Sequence, residues 1–87
     1  MWRVSLKKSE LKKIDKLPKN VAPVLYRLVE DLKQKGPVQP SWRNYSSLGD
    51  NKHHCHLNYH YVACWRTDKA TITIEVYYVG SREKAPY

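Results

Sequence analysis

Lys52-His53-His54-Cys55-His56-Leu57-Asn58-Tyr59-His60-Tyr61-Val62-Ala63-Cys64-Trp65 is the stretch on which the fold turns, because two runs of period two meet there across a short polar break. Successive side chains of a strand point to opposite faces, so His54 and His56 share one face and His53 and Cys55 the other. The length of the loop decides which residues of the second strand join them. A two-residue loop, Asn58-Tyr59, sets His56 opposite Tyr61 and mixes the histidines with Tyr61, Ala63 and Trp65. A three-residue loop, Asn58-Tyr59-His60, instead gathers Cys55, Leu57, Tyr61, Ala63 and Trp65 on an apolar face. It leaves His54, His56, Val62, Cys64 and Arg66 on the other. Only the second register separates polar from apolar, and it predicts a sheet covered by helices on one side with a basic, histidine-lined face on the other.

Outward from this hairpin, residues 52–57, 60–67 and 71–79 are rich in Val, Ile, Thr, Tyr and Trp and read as three antiparallel strands. Residues 36–51 hold prolines, glycines, Ser, Asn and Asp and read as a loop, pinned to the core by Trp42, Tyr45 and Leu48. Before it, Val21, Leu25, Leu28, Val29 and Leu32 form one helical stripe, with Asn20 as cap, Pro23 in the first turn and Gly36-Pro37 as the stop. Leu11, Ile14 and Leu17 recur at helical spacing from a Ser9 cap to Pro18 and predict a first, basic helix. Trp2, Val4 and Leu6 alternate as in a short N-terminal strand. Residues 80–87 form a C-terminal tail. The expected architecture is α+β, with two helices packed on one face of an antiparallel sheet.

The 87 residues are enough for one domain, 1–87, and a 41% hydrophobic share with three Trp and seven Tyr is enough to fold it. No apolar run is long enough to span a bilayer and residues 1–8 lack the apolar block of a signal peptide, which predicts a cytoplasmic protein with no membrane partner. Sixteen basic against eight acidic side chains give +8, pointing to a polyanionic partner, nucleic acid or an acidic protein. Residues 1–35 carry ten basic and four acidic groups of that total, and residues 36–87 carry six and four. Cys55 and Cys64 fit neither a disulfide framework nor a four-thiolate zinc site.

The second half also resembles a known family. His53-His54-Cys55-His56-Leu57, Tyr61-Val62-Ala63-Cys64-Trp65 and Ile74-Glu75-Val76-Tyr77-Tyr78-Val79-Gly80-Ser81-Arg82-Glu83-Lys84-Ala85-Pro86-Tyr87 are similar to the RelE-like branch of the RelE/ParE superfamily of bacterial toxins. The order of strand, two helices, three strands and tail agrees with it. The resemblance implies a toxin of a type II toxin-antitoxin system, a metal-independent endoribonuclease that cuts mRNA in the decoding site of the ribosome and is neutralised by a cognate antitoxin. It implies no cofactor. By position, His54 and His56 replace two second-strand lysines of the family, Arg82 matches an arginine after the Val-Gly of the last strand, and Tyr87 matches a tyrosine that follows. Val62 departs, standing where the family has an arginine, so that Arg66, His60 or another basic group replaces it or the activity is weaker.

Metal-free RNA cleavage by 2′-OH attack needs a base, an acid and a cation for the crowded phosphorane. Imidazoles suit both proton roles near neutral pH, Arg82 suits the charge role, and Tyr87 can stack on a base or bond the phosphate. Lys52, His60, Arg66 and Lys84 are the candidate RNA contacts around them. Four alternatives stand beside this reading. The histidines can be ordinary strand residues. His54-x-His56 with His60 or Cys64 as third ligand can hold zinc. The same architecture also serves ParE-like inhibitors of DNA gyrase, and a degenerate toxin would bind its antitoxin without cutting.

Overall fold

The computed structural model describes residues 1–87. In chain order it comprises β1 (Arg3–Leu6), α1 (Lys8–Leu11), a 3-10 turn (Ile14–Lys16), α2 (Ala22–Lys35), β2 (Ser46–Gly49), β3 (Lys52–His56), β4 (Tyr61–Asp68), β5 (Thr73–Ser81) and a second 3-10 turn (Arg82–Lys84). The five strands form one sheet in the order β1-β5-β4-β3-β2, with β1 parallel to β5 and every other pair antiparallel. No helix is long and apolar enough to cross a membrane.

The β3–β4 hairpin takes the three-residue loop. His54 pairs with Cys64, Cys55 with Ala63 and His56 with Val62. Asn58 Oδ1 accepts from the backbone N–H groups of His60 and Tyr61, 2.8 Å each, which closes the loop as an Asx turn. This register puts Cys55, Leu57, Ala63 and Trp65 under the helices, where they meet Val21, Leu25, Leu28 and Leu32 of the α2 region and Ile74, Val76 and Val79 of β5. Each of these side chains is buried, and truncating Leu25, Leu28 or Leu32 to alanine is expected to cost about 2–5 kcal/mol. The two cysteines are free and sit on opposite faces of adjacent strands.

Four sequence expectations are corrected. The first helix does not run unbroken from a Ser9 cap to Leu17: α1 is one turn with Lys7 as N-cap, and Ser9 Oγ donates to Glu10 instead. The reason is Glu10, whose carboxylate turns inward and exposes Leu11, so the Leu11-Ile14-Leu17 stripe cannot face the core as a unit. Glu10 is only 4% exposed, and its Oε1 accepts from the Val79 N–H at 3.0 Å and from Lys13 Nζ at 2.9 Å. That backbone donor lies on the edge of β5 beyond the end of β1, where an unpaired N–H would be costly to bury. Asn20 does not cap α2, which starts from Val21 without a side-chain cap and carries Pro23 in its first turn. Residues 46–49, expected in the loop, form edge strand β2. Finally, β5 begins at Thr73 rather than at 71, because Ile72 takes a left-handed backbone (φ 53°) that no strand accommodates.

The rest of the 36–45 segment is a loop held from within. Gly36 ends α2 at φ 88°, and a Cβ there would come within 2.8 Å of the Trp2 indole nitrogen. Gln39 Nε2 donates to the Gly36 and Asp31 carbonyls, Trp42 Nε1 to the Asp31 carboxylate, and Trp65 Nε1 to the Pro37 carbonyl.

Candidate functional site on the uncovered sheet face

The helices lie on one face only, so the other face shows what β3, β4 and β5 turn away from the core. The register stacks this face in rows: His56, Val62 and Gly80; His54, Cys64 and Tyr78; Lys52, Arg66 and Glu75. A bulge in β5 between the partners of Cys64 and Trp65 inserts Tyr77 as an extra residue. Its ring joins the last row, with the Arg66 guanidinium 4.8 Å and Lys52 Nζ 5.9 Å from its centroid.

His54 and His56 are the centre of this face, their ring centroids 5.7 Å apart. Tyr87 folds back from the tail so that its ring lies 4.4 Å from that of His54, while the residue stays 54% exposed. β2 supplies the second contact: His54 Nδ1 lies 2.9 Å from Ser46 Oγ. With Nδ1 donating to that hydroxyl, Nε2 carries a free lone pair. Asn44 Nδ2 approaches His56 Nδ1 at 3.4 Å, and the Arg43 carbonyl accepts the His56 backbone N–H.

Both imidazoles are held below the ordinary histidine value. For His54 the main cause is burial, then the charge of His56, with hydrogen bonding at Ser46 pulling it back up. For His56 it is burial, then the positive charges of Arg82 and Arg43. Each ring is therefore mainly neutral at pH 7, the state in which it can accept a proton. The Tyr87 phenol is raised, chiefly by burial. Both thiols are pushed up to about 12, which removes them as nucleophiles at neutral pH.

The structure thus brings His54, His56 and Tyr87 together and sets the Arg82 charge against His56. Arg82 is exposed, its guanidinium 4.7 Å from the Tyr59 ring centroid. Lys52 and Arg66 lie one row away beside Tyr77, and Arg66 Nε also donates to Glu75 at 3.0 Å, an exposed pair that adds little stability. His60 occupies the hairpin tip, and Lys84 is exposed on the last 3-10 turn. No group of three or more His, Cys, Asp or Glu side chains is placed to hold a metal ion, so His54-x-His56 finds no third ligand in His60 or Cys64. Sequence reasoning missed Asn44, Ser46, Tyr59 and Tyr77. None of the four carries a local signal in the sequence.

One layer of helices packs against a five-stranded sheet, and the paired histidines lie on the face that carries no helix. No protein-family model and no curated protein sequence matches the chain. Among solved structures it is similar to the isolated RelE toxin of E. coli, with a TM-score of 0.78 and 15% identity over 99% of this chain and 89% of that one. The archaeal RelE-RelB complex from Pyrococcus horikoshii matches at a TM-score of 0.76 and 15% identity, over 97% and 98% of the two chains. A metal-bound toxin from Helicobacter pylori matches at 0.70 and 21%, with the same coverage. The chain shares the fold of these solved toxins.

Proposed function

We propose that the protein is the toxin of a type II toxin-antitoxin pair and cleaves mRNA by metal-independent attack of a 2′-OH on the adjacent phosphate, on the ribosome. The observation that carries this reading is the His54/His56 pair, ring centroids 5.7 Å apart on the face without helices, with Tyr87 against one ring and the Arg82 charge acting on the other. One imidazole takes the 2′-OH proton and the other, once protonated, returns one to the leaving 5′-oxygen. Arg82 offers the phosphorane a bidentate cation. The Tyr87 ring is an exposed plane on which a base can stack. Val62, buried opposite His56, provides no charge to that row, which leaves Arg82 and Arg43 as the cations nearest to it.

An antitoxin partner is supported by the Pyrococcus neighbour, whose structure is of a RelE-RelB complex. The net charge of +8 suits both an acidic antitoxin and RNA.

Mapping mRNA ends in cells after induction is the deciding experiment. New 5′ ends within translated messages, lost in His54→Ala and unaffected by EDTA in a purified ribosome assay apart from effects on the ribosome itself, are the expected result. Growth arrest with intact mRNA and altered plasmid supercoiling would move the protein to the gyrase inhibitors, and harmless expression with no copurifying neighbour product would refute the toxin reading.

A further inference from the structure

Two contacts reach Arg82 from the β3–β4 loop, and neither involves His54 or His56. The Arg82 backbone N–H donates to the His60 carbonyl at 2.9 Å. The guanidinium lies over the Tyr59 ring, 4.7 Å from its centroid, within the range of a cation–π contact. Tyr59 is itself held from behind, its ring edge-on to His60 with centroids 5.0 Å apart, and the loop is closed by the two Asn58 hydrogen bonds. A tyrosine that is 64% exposed at a hairpin tip gains no burial there. An arginine side chain on a surface 3-10 turn would otherwise sample many rotamers, which is entropically costly to fix.

We infer that Tyr59 is a positioning residue: the Asn58-closed loop presents its ring as a shelf that holds the Arg82 guanidinium at the His56 end of the uncovered face, ready for the scissile phosphate. This rests on the proposed nuclease reading for its catalytic consequence but not for the placement itself. Arg82 is one of the charges facing His56, with Arg43 and His54 the other titratable or charged neighbours. Freed from the ring, the guanidinium spreads into solvent and its mean charge at the imidazole falls.

The experiment uses the full chain and reads two quantities in wild type, Tyr59→Leu and Tyr59→Phe. NMR titration of the His56 ring nitrogens should show the imidazole protonating at higher pH in Tyr59→Leu and at the wild-type value in Tyr59→Phe, which keeps the ring. Cleavage by the same proteins should show kcat reduced roughly threefold to tenfold in Tyr59→Leu, with KM little changed, and restored in Tyr59→Phe. An unchanged His56 titration in a folded Tyr59→Leu protein would overturn the inference, as would a phenylalanine variant that behaves like leucine. If no form cleaves RNA while the titrations differ as expected, the nuclease reading fails and the shelf stands.

Discussion

His53 and His54 are neighbours on one strand and equally buried, each 8% exposed, yet they belong to different parts of the molecule. His53 points under the helices. Its ring stacks on Trp65 with centroids 5.9 Å apart, and its Nδ1 lies 2.7 Å from the Tyr45 hydroxyl, so its polar and apolar surfaces are both satisfied by the core. His54 points the other way, toward His56 and Tyr87, with Ser46 on one nitrogen and the second nitrogen open to chemistry. Burial lowers the affinity of both rings for a proton, by different neighbours: Lys69 assists at His53, His56 at His54. The contrast shows that burial and a depressed pKa do not mark a site by themselves; the face of the strand does.

Exchanging the roles of the two faces should give the largest effect. His54→Ala and His56→Ala should each lower cleavage by roughly 10²–10⁴-fold with the melting temperature little changed, whereas His53→Ala should cost about 1–3 kcal/mol of stability and leave cleavage per folded molecule intact. Denaturation curves beside single-turnover cleavage check this, and a His53 variant that is stable but inactive would erase the distinction. Removing Tyr87 should be milder: about tenfold slower cleavage, equal to roughly 1.4 kcal/mol, with little loss of stability, because the residue is half exposed at the end of the chain. Tyr87→Phe separates stacking from hydroxyl chemistry, retained activity meaning that the ring suffices.

Smaller still is the effect of pH on the core histidine. The folded-state pKa of His53 lies below the unfolded value of about 6.5, so as pH falls the unfolded chain takes up a proton that the folded one refuses. Its contribution to stability is complete above the unfolded pKa and is lost as pH falls through the folded one. His53→Phe should therefore flatten, without abolishing, the fall in melting temperature on acidification, the remaining slope coming from His54 and His56, which shift in the same direction, and at lower pH from Glu10, whose carboxyl, against the opposing effect of burial, is held low by its bonds to Lys13 and Val79. A slope unchanged by the substitution would mean that His53 does not titrate differently on folding. The smallest effect is expected at the thiols. Buried, with pKa values near 12 and on opposite faces, Cys55 and Cys64 should resist alkylation in the native protein and remain unpaired under mild oxidation, as thiol counting by mass would show.

What was legible in the sequence follows the same division. The β3–β4 register could be read because a slip of one residue would have put His54 and His56 on one face with Ala63 and Trp65, a large penalty written in alternating letters. The α2 stripe was equally plain. By contrast β2 was hidden: Ser46-Ser47-Leu48-Gly49 has no strand-forming composition, and it is ordered by pairing with β3 and by the contact of Ser46 with His54. Glu10, set among lysines, reads as part of a solvated face, and only the end of β1 short of Val79 explains why a carboxylate is buried there. At the site, the histidines and the tail stood out by residue type, whereas Tyr59 and Tyr77 acquire their places from a loop and a bulge that no local pattern announces.

The pairing of β1 with β5 has a kinetic consequence. Arg3 must find Thr73, a separation of 70 residues, and the strand that joins the sheet first in sequence can dock only after its partner has been made and laid against β4. Closing so long a loop is entropically costly, which slows folding relative to a chain held by local contacts. During synthesis the first strand must wait unpaired, and the Glu10 bond to Val79, next to the strand end that carries Arg82, is among the last contacts the emerging chain can make.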